Sequence, residues 1–173
     1  MAGSDSTAKT VHSEPALLGV YLNDHLAGAT GGIELVRRMA GADRGSQLGE
    51  ALQRLESEIV ADRVALLDMM AALGVPVRRY KSYLAWMAER AGRLKLNGHL
   101  LRQSPLSRLV ELEALRLAVE AKAAGWRTLC ALANHDDRLD VGRLDGLLAR
   151  ARQQADTVEE LRVRTAAEVF GLG

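Results

Sequence analysis

The side chains best placed to do chemistry in this sequence are those that interrupt apolar helical stripes. Asp62 stands in a stripe reading Leu48, Leu52, Leu55, Ile59, Asp62, Leu66, Met69, Leu73. His25 stands in another, reading Leu18, Leu22, His25, Ala29, Gly32, Val36, Met39. Gln154 falls among Leu144, Leu147, Ala151, Val158, Leu161 and Thr165, and Glu120 borders the apolar flank of the helix before it. An imidazole with Asp and Glu suits iron, manganese or zinc. In helical bundles such ligands project inward from facing helices. His25, Asp62, Glu120 and Glu58, the last about one turn from Asp62, are therefore candidate metal ligands. The competing expectation is a polar layer satisfied by salt bridges, with Arg63, Arg116 or Lys122 as partners. Buried polar groups need such partners in any case, and they can fix helix register. A single histidine at that level is fewer nitrogens than bundle metal sites usually use, which favours the salt-bridged layer.

A second constellation lies between Arg78 and Arg102, which holds seven Arg and Lys residues against a single Glu89. The formal net charge of the chain is only +1, so this stretch concentrates the basic excess. Wound on a helix, Arg79, Tyr83, Trp86, Arg90 and Arg93 form a stripe in which rings alternate with guanidinium groups. A parallel stripe of Tyr80, Leu84, Met87, Ala91 and Leu94 is apolar. Arg with stacked aromatics suits single-stranded nucleic acid, and a basic amphipathic helix with Trp suits an anionic surface. The plainer expectation is a crossover helix docked by its apolar stripe, with its cations solvated; no nucleic-acid motif accompanies the pattern.

Other chemistry is thinly supported. His135-Asp136 is a pair that metal phosphohydrolases use, but it stands in a turn where capping of the next helix accounts for Asp136 and Asp137 as well. No nucleophile with an adjacent base, phosphate-binding glycine loop or cofactor fingerprint is present, so an enzyme is not the expectation. Cys130 is the sole cysteine, so no intramolecular disulfide forms, and a small buried thiol is expected there. No apolar run approaches the ~20 residues of a membrane span. The first dozen residues lack an apolar signal-peptide core, and the cytoplasm is the expected compartment.

The elements that must position these residues are helices, because Ala, Leu and Arg dominate and aromatics are few. Residues 1–12 are expected to be a flexible tail, and 13–173 a single helical-bundle domain. Ser13 caps the first helix, with Pro15 in its first turn and Gly41 at its end. Gly28, Gly31 and Gly32 weaken it, predicting either a kink or another backbone packed close. The second helix runs from about Gln47 to Leu73, capped by Ser46 and stopped by Gly74 and Pro76. The next long helix opens at Ser104-Pro105, and its two apolar flanks predict burial between neighbours: Leu106, Val110, Leu117, Ala121 and Ala124 on one, Leu112, Leu115, Val119 and Trp126 on the other. The last is capped by Asp140 and ends at Gly171. Short joints force antiparallel pairs. The segment 77–104 between the pairs is long enough to cross the bundle and carries a shorter helix at 80–94. The fold class is thus all-α, an antiparallel four-helix bundle of two hairpins joined by a long crossover; the alternative makes the 80–94 helix a bundle member. With the first joint near 41–46, His25 is expected opposite Asp62, with Glu120 and Gln154 at the same level.

This layout resembles the ferritin-like superfamily, whose hallmark is two antiparallel pairs joined by a long crossover. The resemblance is of architecture. The Glu-x-x-His motif of its di-metal members is absent, because Lys9, Leu22, Leu96 and Leu132 stand three residues before His12, His25, His99 and His135. No ligand set is carried over from it. The reading favoured by the sequence is a non-enzymatic binding or assembly module that self-associates, most simply as a two-fold homodimer. A metal-binding bundle using His25, Asp62, Glu120 and Glu58, and an anion or nucleic-acid binder using Arg79, Tyr83, Trp86, Arg90 and Arg93, are the alternatives.

Overall fold

A computed structural model of the chain describes residues 14–78 and 105–172. All regular structure among them is helical: α1 Glu14–Ala42, α2 Gln47–Ala72, α3 Pro105–Ala133 and α4 Val141–Phe170. The expected tail at 1–12 and the basic helix at 80–94, with Arg79, Tyr83, Trp86, Arg90 and Arg93, lie outside the described residues.

The helix ends follow local chemistry. Ser46 has extended backbone, and its hydroxyl accepts from the Gly49 N–H at 3.1 Å, capping α2. Asp140 does the same for α4 through the Arg143 N–H at 3.0 Å. Gly171 closes α4 in the left-handed conformation at φ 63°, where a side chain would be strained. Two expectations fail at glycines. Gly41 does not stop α1, which runs on to Ala42. The helix is continuous through Gly28, Gly31 and Gly32, and the close backbone expected there is absent, since nothing comes within 4 Å of where a Cβ on Gly28 or Gly32 would sit.

The four helices pack as a bundle in which α1 touches α2 and α3, and α4 touches α3 and α2. Arg37–Glu56 (2.8 Å) and Arg63–Thr30 (3.2 Å) link α1 to α2, and Arg38–Glu111 (2.8 Å) and Tyr21–Thr128 (2.9 Å) link α1 to α3. Arg116–Glu159 (3.1 Å) joins α3 to α4, and Arg143–Asp68 (2.6 Å) joins α4 to α2. The apolar core falls into two clusters. One gathers Leu22, Leu66, Met70, Trp126, Leu129 and Leu144; the other gathers Val36, Met39, Leu52, Leu112, Leu115 and Val158.

The stripes assigned to α2 and α4 are buried, except Leu48, which is half-buried. That of α3 needs correction. Leu112, Leu115, Val119 and Trp126 are buried, but Leu106, Val110 and Leu117 are exposed, Leu117 at 71%. The cause is that α3 packs closely along α1 and α4 and reaches α2 through the Lys122 side chain, all from its inner side, so its outer apolar flank has no helix to meet among the described residues. Cys130 is half-buried rather than buried.

Candidate functional site

Between the two apolar clusters, near mid-height, the core turns polar. Asp62 is 1% exposed on α2. Its Oδ2 accepts from Lys122 Nζ on α3 at 2.5 Å and from Gln154 Nε2 on α4 at 3.2 Å. Its Oδ1 accepts from Arg150 on α4, through Nε at 2.8 Å and through Nη2. Gln154, also 1% exposed, accepts from Lys122 at Oε1 and donates from Nε2 to Glu58 Oε2 at 2.9 Å. Three helices are thereby tied through one carboxylate, and both Asp62 oxygens are satisfied, which a buried charge requires. Burial pulls the Lys122 ammonium below its usual pKa; the Asp62 charge and hydrogen bond oppose this, and Arg150 adds to it.

Beside this layer a cavity of about 370 Å³ lies among α1, α2 and α3. Leu22, Ile59, Leu66, Leu115, Val119 and Leu129 supply much of its apolar wall. Gly28, Ala29 and Gly32 of α1 form a side with little or no side chain. The ring of His25 borders it and lies on the backbone of α3: a Cβ on Gly125 would meet it at 3.0 Å. Tyr21 stacks edge-on against that ring, with centroids 4.5 Å apart. Burial lowers the His25 pKa, with the nearby Asp24 charge opposing, so the imidazole is held toward its neutral form. Lys122 belongs to both features: its amine is anchored in the polar layer and its side chain lines the cavity. Trp126 lines it too, and its buried Nε1 has no acceptor among the described residues.

The structure distributes the expected residues unevenly. His25, Asp62 and Lys122 border one cavity. Asp62 and Gln154 share one layer, with Glu58 at its edge. Glu120 is exposed and does not join them. The set His25, Asp62, Glu120 and Glu58 therefore does not assemble as metal ligands. Two cations occupy the Asp62 oxygens, and His25 is packed on Gly125 instead. Among the described residues no three His, Cys, Asp or Glu side chains gather in a way that could hold a metal ion. Of the three cations expected to neutralise the layer, Lys122 does so, while Arg63 reaches Thr30 and Arg116 reaches Glu159.

Arg150 was not foreseen as a partner. Its signal was present, since it stands one turn before Gln154 on the same face of α4. The cavity was not foreseen either; its signal was Gly32 within a core stripe, with Gly28 one turn before it. Away from this level, Asp136 does not cap α4. It is bound by Arg138 at 2.6 and 2.8 Å, which lowers its pKa to about 2. Arg138 also reaches the Leu73 carbonyl at 3.3 Å, fastening this turn to the end of α2.

No family model, curated protein or solved structure matches this chain.

Proposed function

We propose that this protein is a binding module, and that its ligand is a small, mainly apolar molecule held in the cavity among α1, α2 and α3. The observation that carries the reading is the void at Gly28 and Gly32. A glycine within a helix is less favourable than alanine by roughly 0.5–1 kcal/mol. Such glycines are usually explained by a backbone or ring pressed against them, as at Gly125. Nothing presses on Gly28 or Gly32, so their effect on the fold is to leave space. The volume, about 370 Å³, lies in the lower part of the ~300–1,000 Å³ range of small-molecule sites. The wall also has their usual character, apolar with a few polar groups.

The direct test fills the void. Gly32→Leu is expected to abolish binding of 1-octanol, followed by Trp126 emission in a Trp86→Phe background, while raising the melting temperature. A variant that is more stable yet cannot bind separates occupation of the cavity from loss of the fold. Unchanged octanol binding in Gly32→Leu would overturn the reading.

The architecture we infer for this module is two antiparallel hairpins joined by a long connection, as in ferritin-like bundles. Within each pair the contact partners run in opposite directions along the chain, Thr30 with Arg63 and Arg37 with Glu56, then Lys122 with Gln154 and Arg116 with Glu159. Tyr21 with Thr128 and Arg38 with Glu111 support α3 running opposite to α1, hence alongside α2. Self-association is a separate part of the proposal, favoured by the exposed apolar flank of α3.

A further inference from the structure

Resting on the cavity reading above, we propose that the ligand is an uncharged alcohol whose hydroxyl meets the His25 ring, with its hydrocarbon body against Gly28 and Gly32.

The charges at the cavity leave nothing for a charged head group to answer. Asp24 and Asp62 on its wall are matched by Arg63 and Lys122. Behind them, Arg150 on Asp62 is matched by Glu58 on Gln154. Three of the four wall ions are also engaged. Lys122 donates to Asp62 and Gln154, Asp62 accepts on both oxygens, and Arg63 is turned to Thr30. An anion would face Asp24 and Asp62 with both wall cations already held. An ammonium would meet Asp24, an exposed carboxylate whose attraction water screens. Bringing either charge into an apolar site costs more than such contacts return.

What stays open on the wall is a neutral, two-sided group. The His25 ring is seated on Gly125, borders the cavity and has no hydrogen-bond partner among the described residues. Burial favours its neutral form, which carries one N–H donor and one bare nitrogen acceptor. A hydroxyl both donates and accepts, so it satisfies either nitrogen. A carbonyl or an ether oxygen accepts only, and answers the N–H alone. Of the other polar groups, the Tyr21 hydroxyl is bonded to Thr128 at 2.9 Å, and the Trp126 Nε1 is buried within the wall. The rest of the wall is largely aliphatic or glycine, which calls for a hydrocarbon body.

The test titrates the full chain at neutral pH with four probes that share one chain and differ in the head: 1-octanol, octanoate, octylamine and 1-chlorooctane. Octanol is expected to bind at least about tenfold more tightly than either ion. In His25→Phe the ratio of octanol affinity to chlorooctane affinity is expected to fall about fivefold, the effect of one neutral hydrogen bond, whatever the variant does to each affinity alone. Should His25→Phe not fold, the ring nitrogen resonances of His25 in the unmodified chain are expected to shift more with octanol than with chlorooctane. A charged probe that binds as tightly as octanol, an unchanged ratio in the variant, or equal resonance shifts would overturn the alcohol while leaving the cavity reading intact. Binding of none of the probes would remove both.

Discussion

Asp62 concentrates the electrostatic risk of this fold in one side chain. A carboxylate that is 1% exposed is tolerable only because Lys122, Arg150 and Gln154 surround it. Breaking a buried pair by removing one partner leaves the other uncompensated, at a cost of about 3–5 kcal/mol. Lys122 is 14% exposed at its side chain, so screening by water offers little relief. Asp62→Leu, which takes the carboxylate from both Lys122 and Arg150, is expected to lower unfolding free energy by about that amount in urea titrations, and Lys122→Met, which leaves Arg150 on Asp62, to cost less. The double variant is expected to recover part of the Asp62→Leu loss, because the buried ammonium is gone and Arg150, 37% exposed at its side chain, is the cation left to water. Additive losses in the double variant would mean that the pair is not coupled. At this scale the sequence was informative about the polar level and one cation. It placed Arg150 on the right face of α4 but did not say which carboxylate it would meet, since a long side chain reaches its partner through rotamer choices that spacing does not encode.

Glycines divide the helices into places where a side chain fits and places where it does not. A Cβ on Gly49 would lie 2.2 Å from the Asp43 carbonyl oxygen, because the turn before α2 folds back on the first turn of that helix. The same contact group includes the Ser46 hydroxyl, which donates to that carbonyl at 2.7 Å. Gly49→Ala is therefore expected to destabilise by about 1–3 kcal/mol, as overpacking does. Gly32→Ala meets open space within α1 and is expected to stabilise by roughly 0.5–1 kcal/mol. Chemical denaturation of the two variants checks both signs, and a destabilised Gly32→Ala would show that α1 needs its glycine for backbone conformation. Helix limits at Ser46, Asp140 and Gly171 were legible, because caps are local. The role of each glycine was not, because it depends on which atoms of other elements arrive beside it.

Register belongs to the whole molecule, and here local reasoning reached its limit. His25 was expected opposite Asp62, yet Arg63 meets Thr30 and Arg37 meets Glu56, a slip of about six residues along α1. Part of the cause is local, since α1 continues to Ala42 before its turn. The rest reflects how two clusters of core side chains interlock. Loop length does not fix that. A cavity arises in the same way, as what remains after four helices have found their fit, so composition alone could not disclose it.

The outer face of α3 is the other property that only the assembled molecule shows. Val110, Ala114, Leu117, Ala121 and Ala124 follow one another at spacings of four and three, with Leu106 one turn before them, and all are exposed. Alternating three and four is the spacing of a seam that meets another helix by knobs into holes. A run of exposed apolar residues over several turns marks an interaction surface rather than scattered surface hydrophobes. A second copy presenting the same face about a two-fold axis is the simplest partner. Leu117, 71% exposed, lies near the middle of that run and carries no folding role visible in the bundle. Light scattering is expected to find a dimer for the unmodified chain and a monomer for Leu117→Glu, with the melting temperature of the variant independent of concentration. A monomer in the unmodified chain at high concentration would remove self-association, and a dimer that tolerates Leu117→Glu would place its interface elsewhere.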